Sequence, residues 1–490
     1  MNSKCPDILL ATVNARYYHT SFGLRCLKAN MGPLRDRTKI AEFEGQVSPE
    51  WVAAELTRHN PKIVGLGVYI WNAEIITALI PLLRQQLPEA RIIVGGPEVS
   101  YTPATHPVAQ AADYVVCGEA DLAFADLCRR ILDGQAPGSK KIFAEPPPLN
   151  KLHLPYTLYT EEDIAHRNIY IEAARGCPFS CQYCVSGRDD GVRHFDIQPW
   201  FAEIERLLQR GGRKFLLVDR SFNIDPEFYL PILDFFYRNR KPGMELHLEL
   251  VPMLFPDAFK SALKRFPPGM LRLEVGVQTL NEEVNRRIGR RQKSRTTLQN
   301  LQFIVDHTHC HLHIDLIAGL PGESLQSLAA SFDRLLRIGA DEVQFGILKK
   351  LPGTAIGKHD KDWGMAYSDH PPYPIIENKL IDSQTMEQLK RFARYWRMIA
   401  TSGRFPGFTD DIIFDSPSPF FRFMDISDYL YSEFERPNRI ALVNLAESLF
   451  KYLQDRQDFT PQQAAQIIAA DYCAGGLRRL PPFLKQQAHC

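Results

Sequence analysis

Long apolar runs, an excess of either charge and internal repeats are all absent from this chain of 490 residues, and no signal peptide is expected. Each absence removes a class of function. No apolar run approaches the roughly 20 residues that cross a bilayer, so a membrane span is not expected. Basic and acidic residues number 58 and 57, for a net charge of +1, which leaves no electrostatic footprint for nucleic acid. The opening Met1-Asn-Ser-Lys-Cys-Pro-Asp7 runs straight into a strand and lacks the apolar core and cleavage site of a secretory leader. No internal sequence repeat is found. The ten cysteines are scattered apart from one motif, so no disulfide framework is implied. What remains is an ordinary globular composition, 45% hydrophobic and 23% charged, with enough chain for two or three domains.

The order of patterns then suggests the architecture. Val/Ile/Leu-rich runs at Asp7–Val13, Ile63–Ile70, Arg91–Gly95 and Asp113–Cys117 alternate with helical periodicity near 21–30, 49–60, 72–87 and 120–133. Near-continuous apolar strands between helices predict a parallel sheet covered on both faces. Such sheets bind ligands at the carboxyl ends of their strands. A Pro-rich stretch, Glu145-Pro-Pro-Pro148 with Pro155 after it, reads as a linker over 141–165. A second series follows, with strands near 169–174, 214–219, 245–251, 271–277, 311–317 and 342–348 and helices between them. From about 360 the alternation stops, and aromatic-rich helical patterns take over (Met386–Thr401, Pro419–Phe434, Ile440–Gln454, Pro461–Cys473).

Three cysteines carry the chemistry. Arg175-Gly-Cys-Pro-Phe-Ser-Cys-Gln-Tyr-Cys184 spaces Cys177, Cys181 and Cys184 as C-x₃-C-x₂-C, with no fourth cysteine nearby. A cubane iron–sulfur cluster takes four ligands, so three leave one iron open. A zinc knuckle would need a fourth ligand, for which His194 is the local candidate; buried structural cysteines are the other alternative. The spacing, set after a strand, resembles the radical S-adenosylmethionine (SAM) superfamily. The resemblance implies a 4Fe–4S cluster held by Cys177, Cys181 and Cys184, with SAM chelated at the open iron and Tyr183 packing near the adenine. It also implies that the six strand–helix units form a partial (β/α)₆ barrel. A cluster with an open iron requires a reducing compartment, and the expectation is cytoplasmic.

A flavodoxin-like domain ahead of such a barrel resembles the cobalamin-binding class of that superfamily. Gly95-Gly96-Pro97-Glu98 matches its glycine-rich turn, where the backbone can approach a bulky ligand, and Gly118-Glu119 matches its later Gly-Glu turn. Asn14, Tyr69, Trp71 and Asn72 lie at the other strand ends, with aromatic surface for a flat macrocycle. D-x-H-x-x-G, which supplies a histidine to cobalt in many cobalamin proteins, is missing from residues 1–140: His19, His59 and His106 lack its Asp and Gly. The expectation is therefore base-off cobalamin without a histidine ligand.

The barrel strands end in further matches. Asp219 and Asn223 sit where the family meets the methionyl amine. Gln278, in Glu274-Val-Gly-Val-Gln-Thr279, resembles a tract placed near the nucleoside. Asp315 and Gly319 belong to Asp315-Leu-Ile-Ala-Gly-Leu-Pro-Gly-Glu323, close to the family's D-L-I-x-G-L-P-G-E. Blander roles compete. Barrel carboxylates such as Glu249 can form a satisfied polar layer, Glu323 reads as a neighbour of a helix N-cap, and His311 and His313 need no metal. Cys310, Cys473 and Cys490 read as ordinary thiols, and most C-terminal aromatics as core.

The fold class expected is α/β: a flavodoxin-like parallel sheet (1–140), the linker (141–165), a partial (β/α)₆ radical SAM barrel (166–358) and a mainly helical C-terminal domain (359–490). The resemblance implies a cobalamin-dependent radical SAM methyltransferase acting on an unactivated carbon of a small-molecule or peptide substrate. In that chemistry the reduced cluster cleaves SAM to methionine and a 5′-deoxyadenosyl radical, which takes a hydrogen from the substrate. The substrate then collects a methyl group from methylcobalamin, recharged by a second SAM. An electron donor such as flavodoxin or ferredoxin is implied. The alternatives are a rearrangement or ring contraction with the same cofactors, and a non-catalytic cobalamin or redox sensor. A methylthiotransferase is disfavoured, because Cys5, Cys26, Cys117 and Cys128 do not form a second cluster motif.

Overall fold

The computed structural model describes residues 5–188, 191–474 and 479–485. Cys490 lies outside them. The chain divides into two compact units: residues 1–249 with 350–355 and 368–373, and residues 250–349 with 356–367 and 374–490.

The first unit opens with a parallel sheet in the order β2-β1-β3-β4-β5-β6. Its strands are β1 (Ile8–Asn14), β2 (Thr38–Glu44), β3 (Ile63–Gly67), β4 (Arg91–Gly95), β5 (Tyr114–Cys117) and β6 (Lys141–Phe143). Two of these differ from expectation. β2 reads Thr-Lys-Ile-Ala-Glu-Phe-Glu, too charged for a buried strand, because it lies at the sheet edge with only Thr38 and Phe43 fully buried. β6 falls in the stretch read as linker and pairs in parallel with β5. The central strands are apolar throughout, β1 and β3 buried at every position, which is what helices on both faces require. The helices Pro49–Thr57 and Ala73–Gln86 cover one face. Phe22–Ala29 and Asp121–Leu132 cover the other.

The same unit continues with β7 (Ile169–Ile171), a hairpin of β8 (Ala174–Cys177) and β9 (Gly191–His194), then β10 (Lys214–Leu217) and most of β11 (Glu245–Leu250). β7, β10 and β11 pair in parallel; β8 and β9 are antiparallel. The hairpin was not legible as such, since its strands are short and polar. It carries Cys177 at its end.

The second unit holds β12 (Leu271–Gln278), β13 (His311–Ala318) and β14 (Glu342–Ile347), again parallel. The helices Ser294–His307 and Leu325–Leu336 alternate with them. The six strands expected of the second series are therefore present in sequence order. A small antiparallel pair, β15 (Ala366–Tyr367) and β16 (Ile375–Glu377), precedes the C-terminal helices. Those run over Ser383–Trp396, Pro419–Phe434, Leu442–Gln457 and Pro461–Ala474. Trp396, Phe408 and Phe420 are buried while Phe421 is exposed. Phe332, Phe392, Trp396 and Phe420 meet edge to face or stacked at 4.9–6.1 Å between centroids. They are core, as read. Among the described residues no helix is long and apolar enough to cross a membrane.

Candidate active site

The three motif cysteines are all half-buried free thiols, whereas Cys26, Cys117, Cys128 and Cys310 are buried and Cys5 and Cys473 exposed. Burial pushes the Cys310 thiol up to about 11 and Cys128 higher still, so these are packing residues rather than ligands. The loop after β8 turns tightly. The Cys184 amide donates to the Cys181 carbonyl at 3.1 Å, and the Gly187 amide to the Cys184 carbonyl at 3.1 Å. A side chain on Gly187 would collide with the Cys181 carbonyl, so glycine is required there. Burial pushes the Cys177 thiol up as well, offset in part by the Phe179 amide and Ser221. Three accessible thiols on one tight loop fit a cluster with an open iron better than a closed tetrahedral ion.

Beside this loop, within the first unit, lies a cavity of about 420 Å³. One end is a slot on the sheet face under the helices Phe22–Ala29 and Asp121–Leu132, lined by Leu10, Leu24, Gly65, Gly67 and Phe124. A Cβ at Gly65 would come within 2.9 Å of Leu10 and Phe124, so glycine keeps the slot open. Tyr69, Gly95, Gly96, Gly118 and Glu119 line its middle, and Glu172, Arg175, Gly176, Ser186, Val218 and Arg220 its other end. No histidine is among its lining residues. The glycines, the apolar slot and the polar rim fit a large, amide-rich macrocycle with a long tail.

The residues expected at the strand ends separate into two sets. Tyr69, Gly95, Gly96, Gly118 and Glu119 face the cavity. Gly96 has φ +112°, and its Cβ would approach the Val68 carbonyl to 2.5 Å, so the Gly-Gly turn is needed for backbone stitching as well. Asn14, Trp71, Asn72, Pro97 and Glu98 hold the loops instead. The Asn14 amide donates to the His19 carbonyl and to Glu42, both at 3.0 Å. Trp71 stacks on Tyr69 at 4.6 Å and donates to the Val13 carbonyl at 3.2 Å. Pro97 opens a one-turn helix, and buried Glu98 accepts from Tyr373 and lies 3.5 Å from His106. Asn72 is the anchor. Its Nδ2 donates to Thr12, Val13 and Gly67 at 3.0–3.1 Å, and its Oδ1 accepts from the Tyr69 amide at 2.8 Å. Asn72→Ala, which leaves these buried groups unpaired, should cost about 2 kcal/mol. That appears as a lowered midpoint of the first unfolding transition.

Of the residues expected near SAM, Tyr183 and Asp219 lie in the first unit. Buried Asp219 accepts from the Ala173 amide at 3.0 Å, holding the bend between β7 and β8. Burial pushes its carboxyl up to about 8. Gln278, Asp315 and Gly319 lie in the second unit. Gln278 takes a left-handed φ of 69°, and its Oε1 is buried without a partner. Such strain and an unpaired oxygen accumulate where a ligand completes the site. Asp315 accepts from Gln344 at 2.9 Å and lies 3.1 Å from His313. Gly319, φ +92°, makes a turn whose Cβ would strike Ile375 at 2.7 Å. Glu274, His313 and Asp315 could each offer a ligand atom to one ion. Yet His313 sits between Asp315 and Glu342, at 3.1 and 2.9 Å. Burial opposes its charge, but the two carboxylates win and lift it to about 9. His313 thus joins Asp315 to Glu342, which also pairs with Arg272, in one ion-pair network.

Glu249 pairs with Arg220 at 2.9 Å. Glu323 precedes Ser324, the N-cap of Leu325–Leu336, and is fully buried against Thr279 and Ser327. Burial pushes its carboxyl up to about 7, beyond what those two hydroxyls offset. Between its ordinary value, near 4.5, and 7 the folded protein keeps a proton that the unfolded chain releases. Stability therefore falls as pH rises through that window and levels off above it. Glu323→Gln should flatten this slope, raising the melting temperature relative to wild type at pH 8 but not at pH 4.

The radical SAM superfamily matches residues 171–335, the B12 binding domain residues 8–128. The chain thus carries a B12 binding domain ahead of a radical SAM domain. A protein of unknown function, DUF4080, matches residues 361–489. Among curated relatives is the 2-(S-pantetheinyl)-carbapenam-3-carboxylate methyltransferase of Streptantibioticus cattleyicolor. It is 24% identical over 68% of this chain and 54% of its own. The cobalamin-dependent radical SAM methyltransferase TokK of Streptomyces tokunonensis is 23% identical over 60% and 48%. The chain thus spans about half the length of these curated relatives. Two solved structures share the fold. TsrM, a radical SAM methyltransferase of Kitasatospora setae, gives a TM-score of 0.61 at 16% identity over 74% of this chain and 79% of that one. OxsB, a cobalamin-dependent SAM radical enzyme, gives 0.64 at 11% identity over 96% and 75%.

The largest group missed in the sequence is the cavity wall itself: Leu10, Gly23, Gly65, Gly67, Phe124 and Glu172 carry no motif. A signal did exist at Gly65 and Gly67, since two glycines inside a five-residue strand mark close approach by a ligand or backbone.

Proposed function

We propose that this protein is a cobalamin-dependent radical SAM enzyme that methylates an unactivated carbon of a small-molecule or peptide substrate. The observation that carries the proposal is the single cavity running from the strand ends of the N-terminal sheet to Glu172, Arg175, Gly176 and Ser186 around the cysteine loop. One continuous space serves a carrier of methyl groups and a radical generator at once. Relatives named as methyltransferases support the same reading. When bound, the cluster supplies the electron that cleaves SAM, and cobalamin supplies the methyl group.

The chain's own residues hold and orient these groups. Cys177, Cys181 and Cys184 would ligate the cluster, and Tyr183, Asp219, Gln278, Asp315 and Gly319 remain the proposed surroundings of SAM, with the unpaired Gln278 oxygen as the strongest support. Gly95, Gly96, Gly118 and Tyr69 would face the macrocycle, and the Gly65–Gly67 slot would take its nucleotide tail. With its tail in that slot the cofactor would be base-off, and no histidine is among the lining residues to take the place of its base. Residues 1–140, 166–358 and 359–490 stand as the proposed domains, with Lys141–Phe143 completing the first sheet. A low-potential donor such as flavodoxin or ferredoxin in the cytoplasm would supply the electron.

Reconstituted, reduced protein should convert SAM to 5′-deoxyadenosine. With its substrate it should consume two SAM per methylated product, one cleaved and one demethylated. Product formed without S-adenosylhomocysteine would favour a rearrangement; no 5′-deoxyadenosine at all would favour a sensor.

A further inference from the structure

We propose that Arg175 is a positioning residue through which occupancy of the cobalamin cavity and the geometry of the cysteine loop are coupled. The inference rests on the reading above and goes beyond it. Arg175 lies on β8, two residues before Cys177, and is among the residues that line the cavity. Nε donates to Glu172 at 2.9 Å, Nη1 to Glu119 at 2.9 Å and Asp121 at 2.8 Å, and Nη2 to Asp121 at 3.1 Å. The side chain is only 12% exposed. Glu119 and Asp121 belong to the turn after β5, whose Gly118 lines the same cavity. One buried guanidinium thus ties the cobalamin side of the cavity to the strand that delivers the first cluster cysteine.

A second observation bears on the same point. Arg193 stands directly opposite Arg175 across the β8–β9 hairpin. Like charges so placed repel. Here both reach Glu119, which belongs to neither strand. Glu119 of the Gly118–Asp121 turn therefore offsets the repulsion within the hairpin's arginine pair. A ligand that shifts this turn shifts the hairpin, and by reciprocity the state of the cysteine loop alters affinity for the ligand. Lysine could not substitute, because the arrangement uses the fork of a guanidinium against three carboxylates.

The test is a titration of cobalamin into protein with and without reconstituted cluster, in wild type, Arg175→Lys and the isosteric Asp121→Asn. Cluster-loaded wild type should bind cobalamin more tightly than cluster-free protein, by about fivefold or more, and the factor should fall toward one in both variants. Electron paramagnetic resonance of the reduced cluster should respond to added cobalamin in wild type but not in Asp121→Asn, whose side chain is on a different element from the cysteines. Circular dichroism confirms folding, and Asp121→Asn carries the test if Arg175→Lys does not fold. A wild-type factor of one, or an unchanged factor in the folded variants, overturns the role of Arg175 and leaves the cofactor reading standing. Failure of wild type to bind cobalamin removes both.

Discussion

Triple replacement of Cys177, Cys181 and Cys184 by alanine is expected to abolish the iron–sulfur chromophore and 5′-deoxyadenosine formation together, a loss of essentially all activity. Iron–sulfur sites select thiolates, and the other described cysteines are buried in cores or sit alone at the surface. None can take over. The fold should survive, because the three thiols are half-buried on a loop rather than packed in a core, and thermal unfolding of the cluster-free proteins should match within a few degrees. Absorbance near 400 nm and chromatographic assay of 5′-deoxyadenosine measure the two losses. Residual cleavage of SAM in a folded triple variant would sink the assignment. Gly187→Ala is a milder version: its Cβ strikes the Cys181 carbonyl, so the loop should bind the cluster poorly although every ligand remains.

The cysteine loop was legible because ligand spacing is a local property of sequence. The apolar strands were legible for the same kind of reason: burial on both faces leaves a continuous Val/Ile/Leu run, as in Ile8–Asn14 and Ile63–Gly67. Edge strands escape that rule. β2 and β6 expose much of their length, so their residues carry charge, and tertiary pairing alone makes them strands.

Individual roles at the strand ends were harder to read. Asn72 and Glu98 sit in ligand-like loops yet spend their polar atoms on backbone and neighbouring side chains. Sequence marks a position as polar and loop-borne, but not whether its partner is a ligand or the next strand. Glu119 shows the converse. It was read as part of a Gly-Glu turn for a cofactor, and the structure adds two arginine partners. The cavity was the least legible feature, because its slot is made by glycines in strands and by apolar helix faces that read simply as core.

That slot gives the second large effect. Gly65→Val should weaken cobalamin binding by about tenfold to a hundredfold and stop methyl transfer, while the cluster and 5′-deoxyadenosine formation persist. Gly65 pairs with Leu10 on β1 and Ile93 on β4, and its φ is not in the left-handed region. Valine therefore suits the strand, and the added side chain displaces Leu10 and Phe124, which lie 2.9 Å from the new Cβ. The added side chain also takes up room the tail would need, and each 1.4 kcal/mol of binding lost is tenfold in affinity. The cluster loop is untouched by the change, so loss of the chromophore as well would point to general misfolding instead. In wild type the same slot, occupied by the nucleotide tail, should give a Co(II) paramagnetic resonance spectrum without nitrogen superhyperfine splitting from an axial base. Leu10, Gly65, Gly67 and Phe124 would hold the tail there, and the cobalamin so held would supply the methyl group. Nitrogen splitting from the cofactor's own base would refute the tail-in-slot arrangement, and splitting from a histidine would refute binding without a histidine ligand, even if cobalamin binds tightly.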